Sequence, residues 1–455
     1  MPDAALIDKL ACPRCDTPLA ERGNGLHCRG CRTDYPLLDG LPFLFADPGV
    51  ALDEWRQRYH ARIRDLEHRL AALDQALQRS GLLEATITRL NHEHAALTAH
   101  REELQELLAG LQTTVLAADH STYLALRTRL PGDQGLVTYY ANLHRDWCWG
   151  DDENAASAQL VASAIGDGGP GDLLVLGAGG GRLAYDLHQN YSHASTVALD
   201  FNPLLVLAAA RLARGKPLAL HEFPLAPASA EDVAIPRQLT APAASRDGLH
   251  WALGNALRAP FKPGSFDTVL TPWLIDVLDE PLGQQAARWN QLLRKGGRWI
   301  WFGSHVFRNA DPAARLSLEE SMAVIEQQGF SEPELVEAEL PYMASPANRH
   351  TRRERVIVMS MTKTGKAKAP PRHIALPDWL VRTDQAVPAR ESFKTQGAAS
   401  RIHGFLFAMI DGKRSLDDMA ALMEQERLMP KDEAIGTLRN FLIRALEESE
   451  GYSTF

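Results

Sequence analysis

The chain has 455 residues, room for two to four domains, and 45% of them are hydrophobic, enough to bury proper cores. A formal net charge of −9 argues against broad, non-specific nucleic-acid binding, so nucleic acid is not an expected partner. No signal-peptide pattern is present and no apolar run nears the roughly 18 residues of a membrane span, so a cytoplasmic protein without a membrane partner is expected.

The first element in chain order is a pair of CxxC turns, Cys12-Pro-Arg-Cys15 and Cys28-Arg-Gly-Cys31, separated by 12 residues. Two such turns facing each other supply four thiolates to one tetrahedral zinc, and a shell closed by four cysteines is structural. Residues 1–48 are too few to bury a core alone, which suits a metal-stabilised ribbon. Redox dithiols are the competing account, but such a motif usually comes singly on a larger fold. The fifth cysteine, Cys148, reads as a buried, inert thiol.

Residues 51–130 are nearly free of Pro and Gly and predict a helical arm. Trp55, Tyr59, Ile63, Leu66, Leu70, Leu73 and Leu77 recur at helical spacing, Ser80-Gly81 interrupts, and Leu90, Leu97, Leu104, Leu107, Leu111 and Val115 follow. A helical hairpin with a core-facing stripe accounts for this pattern. Arg56, Arg58, Arg62, Arg64 and Arg69 form either a solvated face or an RNA-contacting one.

Residues 131–363 predict an α/β core of Rossmann type. Asp172–Leu176 (DLLVL) is a buried-strand run, and Gly177, Ala178, Gly179, Gly180 and Gly181 follow before a helix opens at Arg182. A second strand, TVALD, ends at Asp200, placed to accept the ribose hydroxyls of a nucleotide-bearing cofactor. That spacing suits NAD and S-adenosylmethionine equally. Further along stand the Gly254-Asn255-Ala256 turn, a fourth strand at 266–270 and a fifth in LLRKGGRWIWFGS (292–304). This succession resembles the class I S-adenosylmethionine-dependent methyltransferases. The resemblance implies cofactor contacts at Gly177, Ala178, Gly179, Gly181, Arg182, Asp200, Asn255 and Ala256, with Asn255 facing the adenine edge.

Two narrower resemblances accompany it. LACPRCDTPL with LHCRGCRTDYPLLDGLPFLF is similar to the small zinc-ribbon proteins that bind and activate tRNA and protein methyltransferases. QGLVTYYANLHRDWCWG (134–150), VLGAGGGRLAYDL (175–187), TPWLIDVL (271–278), GGRWIWFGS (296–304) and YMASPANRHTRRERVIVMSMTK (342–363) resemble the carnosine N-methyltransferase family in order and spacing. That family implies methyl transfer to an imidazole nitrogen of a histidine-containing peptide. It implies closure over the cofactor by Arg145 and Trp147, an imidazole-orienting carboxylate at Asp276, and a substrate-side tyrosine at Tyr342. Trp273 lies in the same segment as Asp276 and is expected at the substrate. Asp276 also follows the fourth strand, where open α/β sheets place ligands. The sequence departs from the family after Gly303, where Phe307 and Arg308 stand in place of a substrate-binding Tyr and His. His305 lies two positions before Phe307 and is expected on the same side, as a third catalytic candidate. The acceptor is therefore expected to be a peptide or small molecule other than carnosine. An RNA or other small-molecule methyltransferase and a non-catalytic scaffold are the alternatives.

Residues 364–376 read as a Lys-, Ala- and Pro-rich linker, and 377–455 as a small winged-helix-like domain with a Ser415 cap and Asp418 three residues on. IHGFLFAMIDGKRSLDD resembles the peptide-binding chaperone domain of pyrroloquinoline-quinone biosynthesis, implying a bound precursor peptide. Its acidic tract, with Asp417, Asp418, Glu424, Glu426, Glu447, Glu448 and Glu450, disfavours DNA.

Overall fold

The computed structural model describes residues 2–114, 135–192, 195–278, 280–307, 311–371, 386 and 389–450. The chain divides into two compact units, Met1–Val381 and Arg382–Phe455. The first opens with α1 (Ala4–Lys9), β1 (Leu19–Arg22), β2 (Gly25–Cys28), β3 (Asp34–Tyr35), β4 (Leu37–Leu38) and β5 (Leu41–Leu44). The arm follows as α2 (Pro48–Leu77), α3 (Glu84–Leu107) and α4 (Ala109–Thr113). Then come α5 (Tyr140–His144), a π-helical turn at Arg145–Trp149, α6 (Asp151–Ile165), β6 (Asp172–Leu176), α7 (Arg182–Asn190), β7 (Ser195–Asp200) and α8 (Pro203–Ala213). The remainder is β8 (Leu218–Glu222), β9 (Ile235–Leu239), β10 (Leu249–Gly254), β11 (Phe266–Pro272), α9 (Leu282–Leu292), β12 (Leu293–Gly303), α10 (Leu318–Gln327), β13 (Glu334–Tyr342) and β14 (Arg352–Thr362).

Nine strands form one sheet in the order β13-β14-β12-β11-β6-β7-β10-β5-β4. The inner run from β12 to β5 is parallel, and β14 enters antiparallel between β12 and β13. DLLVL lies at its centre as β6, with Leu173 to Leu176 fully buried, as expected of a strand covered on both faces.

The cysteine ribbon is part of this sheet. Its last long strand, β5, runs parallel to β10, pairing Phe43 with Leu253 and Leu44 with Gly254. The ribbon also holds the loop after β10: Ala11 N donates to Pro260 O at 2.9 Å, Lys262 N to Lys9 O at 2.8 Å, and Arg258 Nη2 to Arg14 O at 3.0 Å. The four cysteine sulfurs lie within 4.8 Å of one another. Cys12 and Cys31 are 3.5 Å apart and Cys15 and Cys28 3.3 Å. Thiolates ~2.3 Å from a tetrahedral zinc stand roughly 3.8 Å apart, so the cluster fits a structural zinc. The Tyr35 hydroxyl, 3.0 Å from Cys12 Sγ, and the N–H groups of Arg14 and Cys31 support the sulfurs from outside.

In the arm, Asp47 caps α2 through Val50 N, Pro48 occupies the first turn, and Gly81 at φ +80° breaks the helix near the expected place. Trp55, Tyr59, Leu66 and Leu70 face inward, as do Leu90, Leu97, Leu104, Leu107 and Leu111 of the second run. Val115 and the expected end of the arm lie outside the described residues. The basic face is largely engaged within the protein: Arg56 donates to Leu111 O, while Arg58, Arg62 and Arg69 pair with Glu54, Asp65 and Glu93.

The expected linker begins later than its composition suggests. Thr364 N and Gly365 N both donate to Gly329 O, Asn290 Nδ2 donates to Gly365 O, and Gln291 Nε2 to Ala367 O. The chain is therefore fastened to the core as far as Ala367. The described residues of the second unit include helices at Glu391–Ala408, Leu416–Gln425 and Lys431–Glu450, around Leu406, Met409, Met419, Met423 and Leu438. Ser415 and Asp418 form a reciprocal capping box, and no strand occurs among its described residues, so a wing is not seen there. Among the described residues no helix is long and apolar enough to cross a membrane.

Elemental analysis of the purified chain is expected to give one zinc per molecule. Stripping it frees β5 and the loop after β10; a loss of a few kcal/mol lowers the melting temperature by roughly 5–10 °C in scanning calorimetry. Zinc-free protein with the parental melting temperature and four freely titratable thiols would contradict the assignment.

Candidate active site

The chain order reverses between β6 and β11, so the crevice at their carboxyl ends is where a doubly wound sheet takes a ligand. A cavity of about 730 Å³ opens there. It is lined by Gly177–Gly180 after β6, Asp200 and Phe201 at and after the end of β7, Trp273, Leu274 and Asp276 after β11, and Phe302, Ser304 and Val306 at and after the end of β12. Tyr342, Arg352 and Glu354 line it from the antiparallel edge, and Thr138, Tyr139, Asn142, Arg145, Asp146 and Glu153 from the segment before β6.

Backbone conformation explains the glycine turn. Gly177, Gly179 and Gly181 have φ of +72°, +56° and +86°, a region that strains any side-chain-bearing residue. They differ in surroundings. A Cβ at Gly179 meets nothing within 4 Å, whereas one at Gly181 runs into the Trp251 ring and Ala209. Gly179 thus presents bare backbone to the cavity, and Gly181 packs helix against sheet. The buried Asp200 carboxylate fixes the turn, accepting from Gly179 N at 2.8 Å and Asn202 N at 2.9 Å. Burial pushes its carboxyl upward, opposed by these backbone bonds.

The RDW segment closes against the same turn. Trp147 Nε1 donates to Gly180 O at 2.7 Å, and the Asp146 carboxylate approaches Gly180 so closely that a Cβ there has no room. Arg145 Nε and Nη2 hold Asp146 at 2.8 and 2.7 Å, and Nη1 holds Glu153 at 3.2 Å. Glu153 continues the chain by accepting from Met343 N at 3.0 Å, although burial pushes its carboxyl upward. Beside Met343, the Tyr342 ring stands between two guanidinium groups, Arg145 at 5.8 Å and Arg352 at 4.3 Å, and against Trp273 at 4.8 Å. Burial raises the Tyr342 hydroxyl, so it stays protonated at neutral pH. Trp273 has φ +48°, a left-handed conformation unusual for a bulky residue. Gly303 permits it, since a Cβ there would press on Trp273 at 3.0 Å, and Trp273 N donates to Phe302 O at 2.8 Å.

Of the residues singled out by sequence, Arg145, Gly177, Ala178, Gly179, Asp200, Trp273, Asp276 and Tyr342 meet in this cavity. His305 and Phe307 do not. They share a side, as expected, but it is the side of Trp301: His305 stacks on Trp301 at 5.5 Å, meets Phe307 at 5.2 Å and bonds Ser321 Oγ at 2.9 Å. Alternation from Phe302 sends Ser304 and Val306 to the cavity instead. Arg182 is also displaced from its expected role. It grips Asp186, Asp151 and Asp146 O, over the Trp147 ring, and so clamps the RDW turn. Asn255 accepts from Leu257 N as a cap, and neither it nor Ala256 is part of the lining. Arg308 lies outside the described residues. Sequence reasoning missed Asp146, Glu153, Phe201, Ser304, Val306 and Arg352.

Residues 174–301 match the methyltransferase-domain family. With the sheet order and the glycine–aspartate cavity, that match defines a class I S-adenosylmethionine-dependent methyltransferase. The N-terminal ribbon matches the UPF0434 proteins, and through that module the chain belongs to the UPF0434 family. The protein of Vesicomyosocius okutanii is 39% identical over 54 residues, 12% of this chain and 92% of that one. The protein of Methylibium petroleiphilum is also 39% identical over 54 residues, covering 11% of this chain and 83% of that one. Among solved structures, a possible histamine N-methyltransferase from Thermotoga maritima has 15% identity and a TM-score of 0.31, covering 50% of this chain and 95% of that one. The N-methyltransferase NodS from Bradyrhizobium japonicum has 14% identity and a TM-score of 0.33, covering 50% and 99%.

The two glycines are expected to separate in their effects. Gly181→Ala forces Trp251 aside and should lower the melting temperature. Gly179→Ala meets open space, loses about 1 kcal/mol to its positive φ, and should weaken S-adenosylmethionine tenfold or more in calorimetry. Parental cofactor affinity in a folded Gly179→Ala variant would move the cofactor elsewhere.

Proposed function

We propose that the cavity methylates an imidazole nitrogen of a histidine-containing peptide or a peptide or protein histidine. The observation that supports this best is its lining, which combines flat aromatic walls at Trp273 and Tyr342 with the Asp276 carboxylate in one space with the glycine turn. Five acidic residues line it against two arginines, a balance that suits positive charge rather than a phosphate-bearing acceptor. The alternative of an RNA acceptor gains nothing from the arm, whose arginines are mostly paired.

The open backbone at Gly179 beside a buried carboxylate fits the cofactor. In this reading Gly177, Ala178 and Gly179 cradle it, Asp200 accepts its ribose hydroxyls, and Arg145 holds Asp146 and Glu153 in place at the wall. Bound there, S-adenosylmethionine supplies an electrophilic methyl group on a sulfonium that is already a good leaving group. The protein's own task is positioning. Asp276 accepts the N–H of one ring nitrogen, which leaves the other nitrogen unprotonated and directs its lone pair. Trp273 and Tyr342 hold the ring plane and exclude water. As positive charge grows on the ring, the fixed Asp276 carboxylate stabilises it without reorganising. Delivery of a precursor peptide by the C-terminal unit belongs to the same reading and rests on the likeness of its DGKRSL segment.

Asp276→Asn keeps the shape and removes the charge. Turnover with a histidine peptide should fall by roughly 10²–10³, while S-adenosylmethionine affinity hardly changes. Parental turnover, or loss of cofactor binding, would show that Asp276 does not orient the acceptor.

A further inference from the structure

Arg352, at the start of β14, stands between two cavities. With Tyr342 it closes one end of the active-site cavity, and both residues also line a second cavity of about 300 Å³. Its side chain is 59% exposed, so it is open to a ligand.

The guanidinium is held in place but not used up. It lies over the Tyr342 ring at 4.3 Å, and its Nε stands 2.7 Å from Glu354 Oε1. Among the described residues neither of its Nη groups has a partner. One guanidinium can serve two carboxylates, as Arg145 does here with Asp146 and Glu153. Arg145 is thereby occupied, which leaves Arg352 as the arginine of the active-site lining with open donors.

The charges on its two sides differ. Asp276 and Glu354 belong to the active-site cavity. Among the described residues lining the second cavity the acidic one is Glu222, and it is committed to Arg237 at 2.7 Å and Ser345 Oγ at 2.6 Å. On that side the pinned fork therefore suits a carboxylate brought from outside. The charges of Arg352 and Asp276 both act on the Tyr342 hydroxyl, so fork and carboxylate lie within reach of one phenol. An acceptor that answers both carries an imidazole with a carboxylate close by.

We infer that Arg352 sets the specificity for the methyl acceptor by binding a carboxylate next to its imidazole: the ring lies by Asp276, Tyr342 separates the two groups, and the carboxylate meets the open Nη edge from the second cavity. The carboxylate is either the side chain of an acidic neighbour or the free C-terminus of a peptide. This rests on the proposed imidazole acceptor and adds that a histidine in neutral surroundings is disfavoured.

Calorimetry on the S-adenosylhomocysteine-loaded full chain tests it with four short histidine peptides. One is neutral and blocked at both ends, one has a glutamate before the histidine, one has a glutamate after it, and one ends in histidine with a free carboxylate. In the parent at least one of the three carboxylate peptides should bind about threefold to tenfold more tightly than the neutral one, and which of them does so identifies the source. Arg352→Gln should bring that ratio to one. Arg352→Lys, which keeps the charge and loses the fork, should keep part of it. A residue that only supported Tyr342 would weaken all four peptides alike and leave the ratio parental. No preference in the parent, a parental ratio in Arg352→Gln, or no binding of any peptide overturns the inference. Methyl transfer from S-adenosylmethionine to the same peptides separates the two proposals. If the ratio behaves as expected but no histidine is methylated, the Arg352 subsite stands and the imidazole acceptor falls. If the histidines are methylated without any carboxylate preference, the reverse holds.

Discussion

Two backbone pairs, Phe43 with Leu253 and Leu44 with Gly254, join the ribbon to the catalytic sheet, and much of the architecture follows from that junction. Without β5, β10 would be an open parallel edge, a template for unwanted strand addition. The ribbon covers it, and the cysteine cluster gives so small a module the rigidity its few core residues cannot. The chain then turns at Asp47 directly into α2, whose Trp55 stacks on Phe201 at 5.9 Å. Phe201 is a wall of the cavity. One continuous N-terminal stretch thus braces the sheet edge and supports the site from behind.

The site itself holds its charges in a linked series rather than as isolated pairs. Asp146, Arg145, Glu153 and the Met343 N–H follow one another, tying the π turn before the sheet to the loop after β13. Carboxylates buried singly would be driven to their neutral form; shared around one guanidinium they retain hydrogen bonds in fixed directions. Arg182 performs the same service from below, binding Asp146 O and Asp186. The segment before the first core strand is therefore as much a part of the cavity as the glycine turn.

Local signals in the sequence carried well into the structure. The CxxC turns, the DLLVL strand, the glycine run and the acidic end of β7 each depend on residues close in sequence, and each stands where its pattern places it. Features set by distant contacts were not legible. Nothing near Leu41–Leu44 announces pairing with residues more than 200 positions on. Arg182 follows the glycines and looks like a cofactor contact, yet its partners come from the RDW turn. The side taken by His305 was available in principle. Trp299 and Trp301 face one layer, Ile300 and Phe302 the other, and continuing that alternation puts His305 with the tryptophans. Asp146 and Glu153 required knowing that α5 and α6 fold over the turn, which no short-range pattern encodes.

Trp273 has a consequence for how this protein tolerates change. A tryptophan in a left-handed conformation stores backbone strain that the rest of the fold must absorb. Glycine or asparagine would relax it, so any selection for thermal endurance alone would favour their appearance at this position. Such a gain would remove an aromatic wall of the cavity and release the contact with Tyr342. Directed evolution for heat resistance would thus tend to reshape this cavity, and the tryptophan marks a place where robustness and the form of the site are in opposition.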